Sequence, residues 1–371
     1  MRKRRLILTS KVAPSYRVGR VVGTIDRPDL RVVERTIEFD DPTSLDHDWS
    51  LGLIVGPSGS GKTNVAKECW KDAFYRPFKW SEERAIVDEF APRPCDKIAE
   101  ALAAVGLATP TTWIRPYATL SGGERFRCDL AKALLDSTSP IVVFDEYASV
   151  VDSTVAQNAS IALRKAFDRR AFDKKFVALA CRDDLAQWLE PDWTLDMSTG
   201  NLTRGRLRRP KIQLELHEVE RDLWTSFKGF HYLSGALNPL AKTYATTIDE
   251  SDGRKTLVAF VAILQAEGRA GWKRVHRLVV RPEFQGIGIG SATLDRVAEL
   301  VENSGARLRI TTSAATFVKR LKRAKNWRVA QVYPHGKFQR HSGKESRGSF
   351  GRAVVSFEFR GAKTEGNDVE S

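Results

Sequence analysis

The chain has 371 residues, 42% of them hydrophobic, with four cysteines and a formal net charge of +14. That length accommodates two ordinary domain cores, and Cys69, Cys95, Cys128 and Cys181 form no C-x-x-C pair, which excludes a disulfide scaffold or a zinc ribbon and suits a reduced, cytoplasmic setting. The longest apolar run, Leu257 to Leu264, is far below the roughly 20 residues that span a bilayer, so no membrane partner is expected.

In chain order, the basic start Met1–Ser10 has too few consecutive apolar residues for a leader peptide and reads as a solvated tail. The β-branched runs Arg17–Thr24 and Arg31–Phe39 predict short strands among turns. Ser50–Val55 predicts a buried strand, followed by the glycine loop 56–63 and a helix over Asn64–Phe74. Ala85–Val87 reads as a short strand. Asp96–Gly106 predicts a helix with Ile98, Leu102 and Val105 on one face, and Glu124–Leu135 predicts another. Ile141–Phe144 and Phe176–Ala180 have the apolar character of parallel strands, and Leu195–Leu207 that of a closing hairpin. Arg206–Pro210 is a basic joint, which puts the domain boundary between 209 and 210. Beyond it come strands at Ile212–Glu218, Thr256–Leu264 and Val275–Val280, a helix at Ser291–Asn303, a strand at Arg307–Thr311, a helix at Thr316–Lys322 and a strand at Ala353–Phe359. Residues 361–371 read as a loose acidic tail.

Charge is unevenly divided. Residues 1–205 hold 30 Lys and Arg against 29 Asp and Glu, whereas 206–371 hold 30 against 17. The excess belongs to the second half and points to a polyanionic partner for it.

Gly56-Pro57-Ser58-Gly59-Ser60-Gly61-Lys62-Thr63 fits G-x-x-x-x-G-K-[ST]. Glycines at this spacing let backbone amides close around phosphate oxygens, in front of a helix N-terminus. Lys62 would neutralise the β/γ-phosphates of ATP, and the Thr63 hydroxyl would take Mg²⁺. Asp145 and Glu146 end the Ile141–Phe144 strand; Asp145 would reach Mg²⁺ and Glu146 would orient or deprotonate the attacking water. Between them Leu120-Ser121-Gly122-Gly123-Glu124 opens a helix, where Ser121, Gly122 and Gly123 would face a γ-phosphate held by a second subunit.

These three motifs in this order resemble the ABC ATPase superfamily over roughly residues 15–208. The resemblance implies a homodimer, or pairing with another cassette, with ATP and Mg²⁺ sandwiched between. It also implies that Asp152, after Tyr147-Ala148-Ser149-Val150-Val151, crosses the dimer interface. Three departures argue against a transporter: no glutamine occurs between Thr63 and Leu120, with Asp88 or Glu89 near the expected place; Arg182 stands where the family has a histidine; and the segment between Lys62 and Ser121 is short. ATP then serves as a slow dimerisation switch.

A second glycine loop, Gln285-Gly286-Ile287-Gly288-Ile289-Gly290-Ser291, follows the strand ending at Val280 and opens a helix. Its amides and helix dipole suit a pyrophosphate. Strand, loop and helix together resemble the GNAT acetyltransferase family. The expected fold class is therefore α/β: an ABC-type P-loop ATPase domain (1–209) followed by a mixed α/β GNAT-like domain (210–360). The resemblance implies acetyl-CoA, or another acyl-CoA, on Gly286–Ser291, with Leu278, Val279 and Val280 along its pantetheine arm. Base and acid candidates are Glu283, His231, Tyr232 and Ser313. The segment His231–Gly235 is also similar to segments of Mom-type phage DNA-modifying acyltransferase relatives. Residues 319–352 carry eleven Lys and Arg against one acid, Glu345, with Trp327, Tyr333, Phe338 and Phe350 interleaved. Such a mixture suits phosphates and stacked bases. The leading expectation is acyl transfer to a nucleic acid, gated by ATP-dependent dimerisation. Acetylation of a protein or small amine, and a non-catalytic ATP-regulated DNA-binding role, remain open.

Overall fold

The structure, a computed structural model, describes residues 2–25, 32–46, 48–231, 236–249, 253–334 and 353–361. The chain divides into two compact units, residues 1–92 with 116–210 and residues 93–115 with 211–371.

The first unit begins with β1 (Lys3–Lys11), helix α1 (Tyr16–Ile25) and β2 (Val32–Asp40). β1 pairs antiparallel with β2 over its whole length. The basic start is thus a strand and not a solvated tail: Leu6 and Leu8 pack on the core that holds Ile37 and Phe39, and Arg4 reaches the buried Asp41 carboxylate at 2.8 Å. Residues 17–24 are helical instead of extended. Val18, Val21 and Val22 recur at helical spacing, and the Ser15 hydroxyl accepts from Val18 N at 3.1 Å, so stripe and local cap outweigh β-propensity.

β3 (Leu51–Val55) leads to α2 (Lys62–Trp70); α3 (Cys95–Ala104) and α4 (Pro110–Trp113) belong to the second unit. Then come α5 (Gly122–Asp136), β4 (Ile141–Phe144), α6 (Ser153–Asp168), β5 (Lys175–Ala180), α7 (Leu185–Leu189), β6 (Trp193–Asp196) and β7 (Asn201–Arg204). The sheet runs β4-β5-β3-β6-β7, parallel except for the final hairpin. β3 lies at its centre and is wholly buried, which accounts for its unbroken apolar run. The strand expected at Ala85–Val87 is instead part of a 3-10 turn, Ile86–Phe90.

The second unit holds α3, α4, β8 (Leu214–Glu218), β9 (Lys242–Asp249), β10 (Lys255–Gln265), β11 (Trp272–Val280), α8 (Ile289–Asn303), β12 (Arg307–Thr312), α9 (Ala315–Arg323), β13 (Trp327–Tyr333) and β14 (Val354–Phe359). Among the described residues its sheet runs β13-β14-β12-β11-β10-β9-β8. Only β11 and β12 are parallel neighbours. Leu294, Val297, Ala298 and Val301 of α8 pack on one sheet face with Val261, Ile263, Leu308 and Phe357. Trp224, Phe227 and Leu264 form a second cluster with Phe260 and Val279. Among the described residues no helix is long and apolar enough to cross a membrane, and the four cysteines are free thiols.

Candidate nucleotide and acyl-CoA sites

In the first unit the glycine loop follows β3 directly. Gly56, Gly59 and Gly61 have φ of 155°, 75° and 100°. At Gly61 a Cβ would stand 2.3 Å from Ile37 Cδ1, so only glycine combines this backbone with this packing. Arg35 of β2 donates to the Gly59 carbonyl, and to the Ser60 carbonyl at 3.2 Å, which braces the loop from outside. Lys62 is buried, and its Nζ donates to Gly56 O at 2.8 Å and Pro57 O at 2.9 Å and lies 3.2 Å from Cys181 Sγ. The ammonium is thereby held across the mouth of the loop.

The Thr63 hydroxyl donates to Asp145 Oδ2 at 2.9 Å, which joins the two residues expected at a cation. Asp145 Oδ1 accepts the amide of Glu146 at 3.0 Å. Glu146 has φ of 51°, a left-handed conformation that turns the chain sharply out of β4. Lys62 and Thr63, at the start of α2, and Asp145 and Glu146, in the turn after β4, thus meet at one end of the sheet, the carboxyl ends of β3 and β4 (α/β sheets bind ligands there).

Ser121 caps α5. Its hydroxyl accepts from Glu124 N at 3.3 Å, while the Glu124 carboxylate accepts from Ser121 N at 2.9 Å, a reciprocal capping box. Ser121 and Gly122 are exposed there. Asp152, expected at an interface, accepts from Val155 N at 2.9 Å as the N-cap of α6. Arg182 pairs bidentately with Asp184, at 3.0 and 2.8 Å, and donates to Ser153 Oγ at 3.0 Å. Near the missing glutamine, Glu89 faces Arg84 at 3.4 Å and its carbonyl accepts Lys132 Nζ.

In the second unit β11 pairs with β10 along most of its length, but with β12 only at Trp272–Arg274. Beyond Arg274 it leaves β12, and Leu278, Val279 and Val280 keep their partners Val261, Phe260 and Ala259 on the β10 side alone. The register with β10 shifts between Ala262 and Ile263, which leaves His276 as the extra residue of a bulge. Past Val280 a 3-10 turn (Pro282–Phe284) leads to Gln285, then Gly286 and Gly288 with φ of 82° and 100°, and Gly288 caps α8. A Cβ on Gly290 would lie 2.9 Å from Val280 Cγ2, so glycine lets the start of α8 sit against the end of β11. Gln285 Nε2 donates to Val280 O at 3.0 Å. Loop, helix start and the freed strand edge therefore adjoin. The buried Ile287 and Ile289 alternate with the exposed Gly286 and Gly288, and Ser291 is buried in the first turn of the helix.

The base candidates come from separate segments of the second unit. The His231 ring packs edge-on to Trp224 at 5.7 Å, while Glu283 lies in the turn before the glycine loop. Tyr232 lies outside the described residues. His276 is the group that sequence reasoning missed. Burial, with Arg277, Arg274 and His231 adding to it, lowers its pKa to about 4. Asn238 N donates to its Nε2 at 3.4 Å, consistent with a neutral ring. The unfolded chain titrates this histidine near 6.5, so between pH 6.5 and 4 it binds more protons than the folded chain, and stability falls as pH drops through that window. Replacing His276 by glutamine is expected to flatten this acid loss, read as urea midpoints at pH 5 and 7. An unchanged difference between the two midpoints would contradict the assignment.

The aromatic interleaving of the basic stretch needs correction. Trp327 is 5% exposed, donates to Asp295 Oδ1 at 2.7 Å and packs edge-on to Phe359 at 5.2 Å, so it is a core residue and not a stacking platform. Lys337, Phe338, Arg340, Lys344, Arg347, Phe350 and Arg352 lie outside the described residues.

Residues 212–321 match the family model described as the acetyltransferase (GNAT) family. No curated protein matches the chain. Among solved structures, a bacterial Atm1-family ABC exporter with ATP bound is 17% identical, with a TM-score of 0.34 over 48% of this chain, and the match spans 35% of the exporter's length. The dimeric bacterial ABC transporter cassette MJ0796 is 17% identical over 50% of this chain and 95% of its own, with a TM-score of 0.35. The IAA acetyltransferase from Bacillus cereus is 14% identical over 40% of this chain and 99% of its own, with a TM-score of 0.29. Residues 212–321 thus carry a GNAT acetyltransferase-family match, and the motif set of the first unit is similar to that of ABC-type ATPase cassettes.

Proposed function

We propose that two copies of this chain clasp ATP and Mg²⁺ between their ATPase units, and that this association gates acyl transfer from acyl-CoA to an amine of a nucleic acid. The residues fit both groups. Gly61 leaves no room for a side chain, Thr63 and Asp145 offer a hydroxyl and a carboxylate 2.9 Å apart for Mg²⁺, and Lys62 supplies the cation for the phosphates. Ser121, exposed at the N-terminus of α5, faces the nucleotide of the other copy. Glu146 orients water. Replacing it by glutamine is expected to accumulate an ATP-dependent dimer, measured by light scattering; a monomer at every nucleotide condition contradicts the dimer.

The observation that carries the acyltransferase reading is the strand edge Leu278–Val280, freed from β12 beside the glycine loop of α8. Acetyl-CoA when bound supplies an activated acyl carbon. Gly286–Ser291 hold its pyrophosphate with backbone amides, and Leu278–Val280 pair with its amide-bearing arm. The acceptor nitrogen forms a bond to the acyl carbon as the carbon–sulfur bond breaks. A base drawn from His231 or Glu283 removes the nitrogen's proton, and a hydroxyl such as that of Tyr232 or Ser313 returns one to the thiolate.

A nucleic-acid acceptor is supported by the 30 Lys and Arg against 17 acids beyond residue 205, and by exposed Lys322, Arg323 and Lys325 at the end of α9. A protein or small-amine acceptor is favoured by a different observation. Lys319, Arg320 and Arg328 already pair with Glu100, Asp295 and Glu358, which reduces the charge open to phosphates. Incubation with labelled acetyl-CoA, mixed DNA and tRNA decides between them. Label in the nucleic-acid fraction supports the first reading; label on protein or free amine alone supports the second.

A further inference from the structure

Residues 93–115 lie in sequence between the two glycine-bearing motifs of the ATPase, yet they fold with the acetyltransferase unit. Helix α3 closes with Gly106 at φ of 89°, where Leu107 N bonds Leu102 O at 2.8 Å and Gly106 N bonds Ala103 O at 3.1 Å. This is a Schellman end, which fixes the exit direction of the chain. Two residues on, Thr109 is the N-cap of α4, with Pro110 following. A threonine there ordinarily turns its hydroxyl back onto the helix's own amides. Thr109 makes no such bond. Its Oγ1 stands 2.7 Å from Nε2 and 3.0 Å from Oε1 of Gln285, and Ala108 N donates to the same Oε1 at 3.1 Å. The hydroxyl both donates and accepts, so it pairs with the Gln285 amide in either orientation. Gln285 in turn holds Val280 O and begins the acyl-CoA loop. Lys319 of α9 pairs with Glu100 of α3, a second tie on the same segment.

We infer that segment 93–115 is the control element of the acyl-CoA loop, with Thr109 as the positioning residue that transmits nucleotide-dependent movement of the flanking ATPase segments to Gln285. This rests on the reading of 286–291 as an acyl-CoA loop and names the route by which ATP acts on it. Only five residues, Pro116–Leu120, separate the segment from Ser121. A change at the start of α5 therefore has little slack chain in which to dissipate.

The experiment is CoA binding to the full chain by calorimetry, with and without ATP, for wild type, Thr109→Val and Thr109→Ser. Wild type is expected to bind CoA with an affinity that ATP shifts. Thr109→Val, isosteric but without the hydroxyl, is expected to bind CoA about tenfold more weakly, the scale of one lost buried hydrogen bond, and to lose the ATP shift. Thr109→Ser keeps the hydroxyl and is expected to keep both. An ATP shift of unchanged size in Thr109→Val overturns the inference, as does a wild type whose CoA affinity ignores ATP. Wild type that binds no CoA at all contradicts the acyl-CoA reading itself, a distinguishable failure.

Discussion

Replacing Lys62 by alanine is expected to weaken ATP binding about 100-fold, and any hydrolysis by at least as much again, because a charge-assisted contact to phosphate is lost from a buried site. The folded unit should survive the change. Lys62 Nζ donates to two loop carbonyls and to Cys181 Sγ, and the strand, helix and glycine conformations that shape the loop have other causes. Equilibrium binding of a fluorescent ATP analogue, beside a thermal melt, separates the two effects. Wild-type affinity in the variant contradicts the nucleotide site; a lost melt shows that Lys62 is structural.

The second large effect is on folding. Gly52 lies in the middle of β3, where a Cβ would stand 2.1, 2.4 and 2.7 Å from three ring atoms of Trp193. That indole is fully buried, edge-on to Trp49 at 5.4 Å and stacked on Trp70 at 6.0 Å, so it has nowhere to move. Glycine here marks a close approach of side chain to backbone. Gly52→Ala is expected to cost more than about 4 kcal/mol, a large share of a domain's stability. Loss of the cooperative melt of the first unit, or recovery only in the insoluble fraction, is the expected outcome. A melting temperature within about 2 °C of wild type would mean that the indole is not locked as described.

Much of both candidate sites was legible because their signals are local. A glycine loop between a strand and a helix, an apolar strand ending in two carboxylates, and Ser121 followed by Glu124 three residues later each carry their meaning within eight residues, and the structure has the corresponding strands, loops and caps. Features set by partners distant in sequence were not legible. Thr109 and Gln285 lie 176 positions apart, and nothing near either one announces the bond. The bulge at His276 is a matter of register with β10, which a single strand's pattern does not encode. Helix α6 carries a weak sequence signal because its buried face is built of small residues such as Ala156, Ala159 and Ala162, and its cap, Asp152, also suits an interface role. β13 was missed because most of it is exposed and its one buried residue, Trp327, looked like part of a basic patch. The valines of α1 were read by propensity where their spacing carried the information.

The central proposal is that nucleotide bound by the first unit controls acyl transfer by the second unit of the same chain. It is tested most directly by the initial rate of label transfer from acetyl-CoA to nucleic acid, measured on the full chain with ATP, without nucleotide, and with Lys62→Ala in the presence of ATP. A rate that rises with ATP in wild type and stays at its nucleotide-free level in Lys62→Ala is the predicted result. Equal rates under all three conditions would contradict the account.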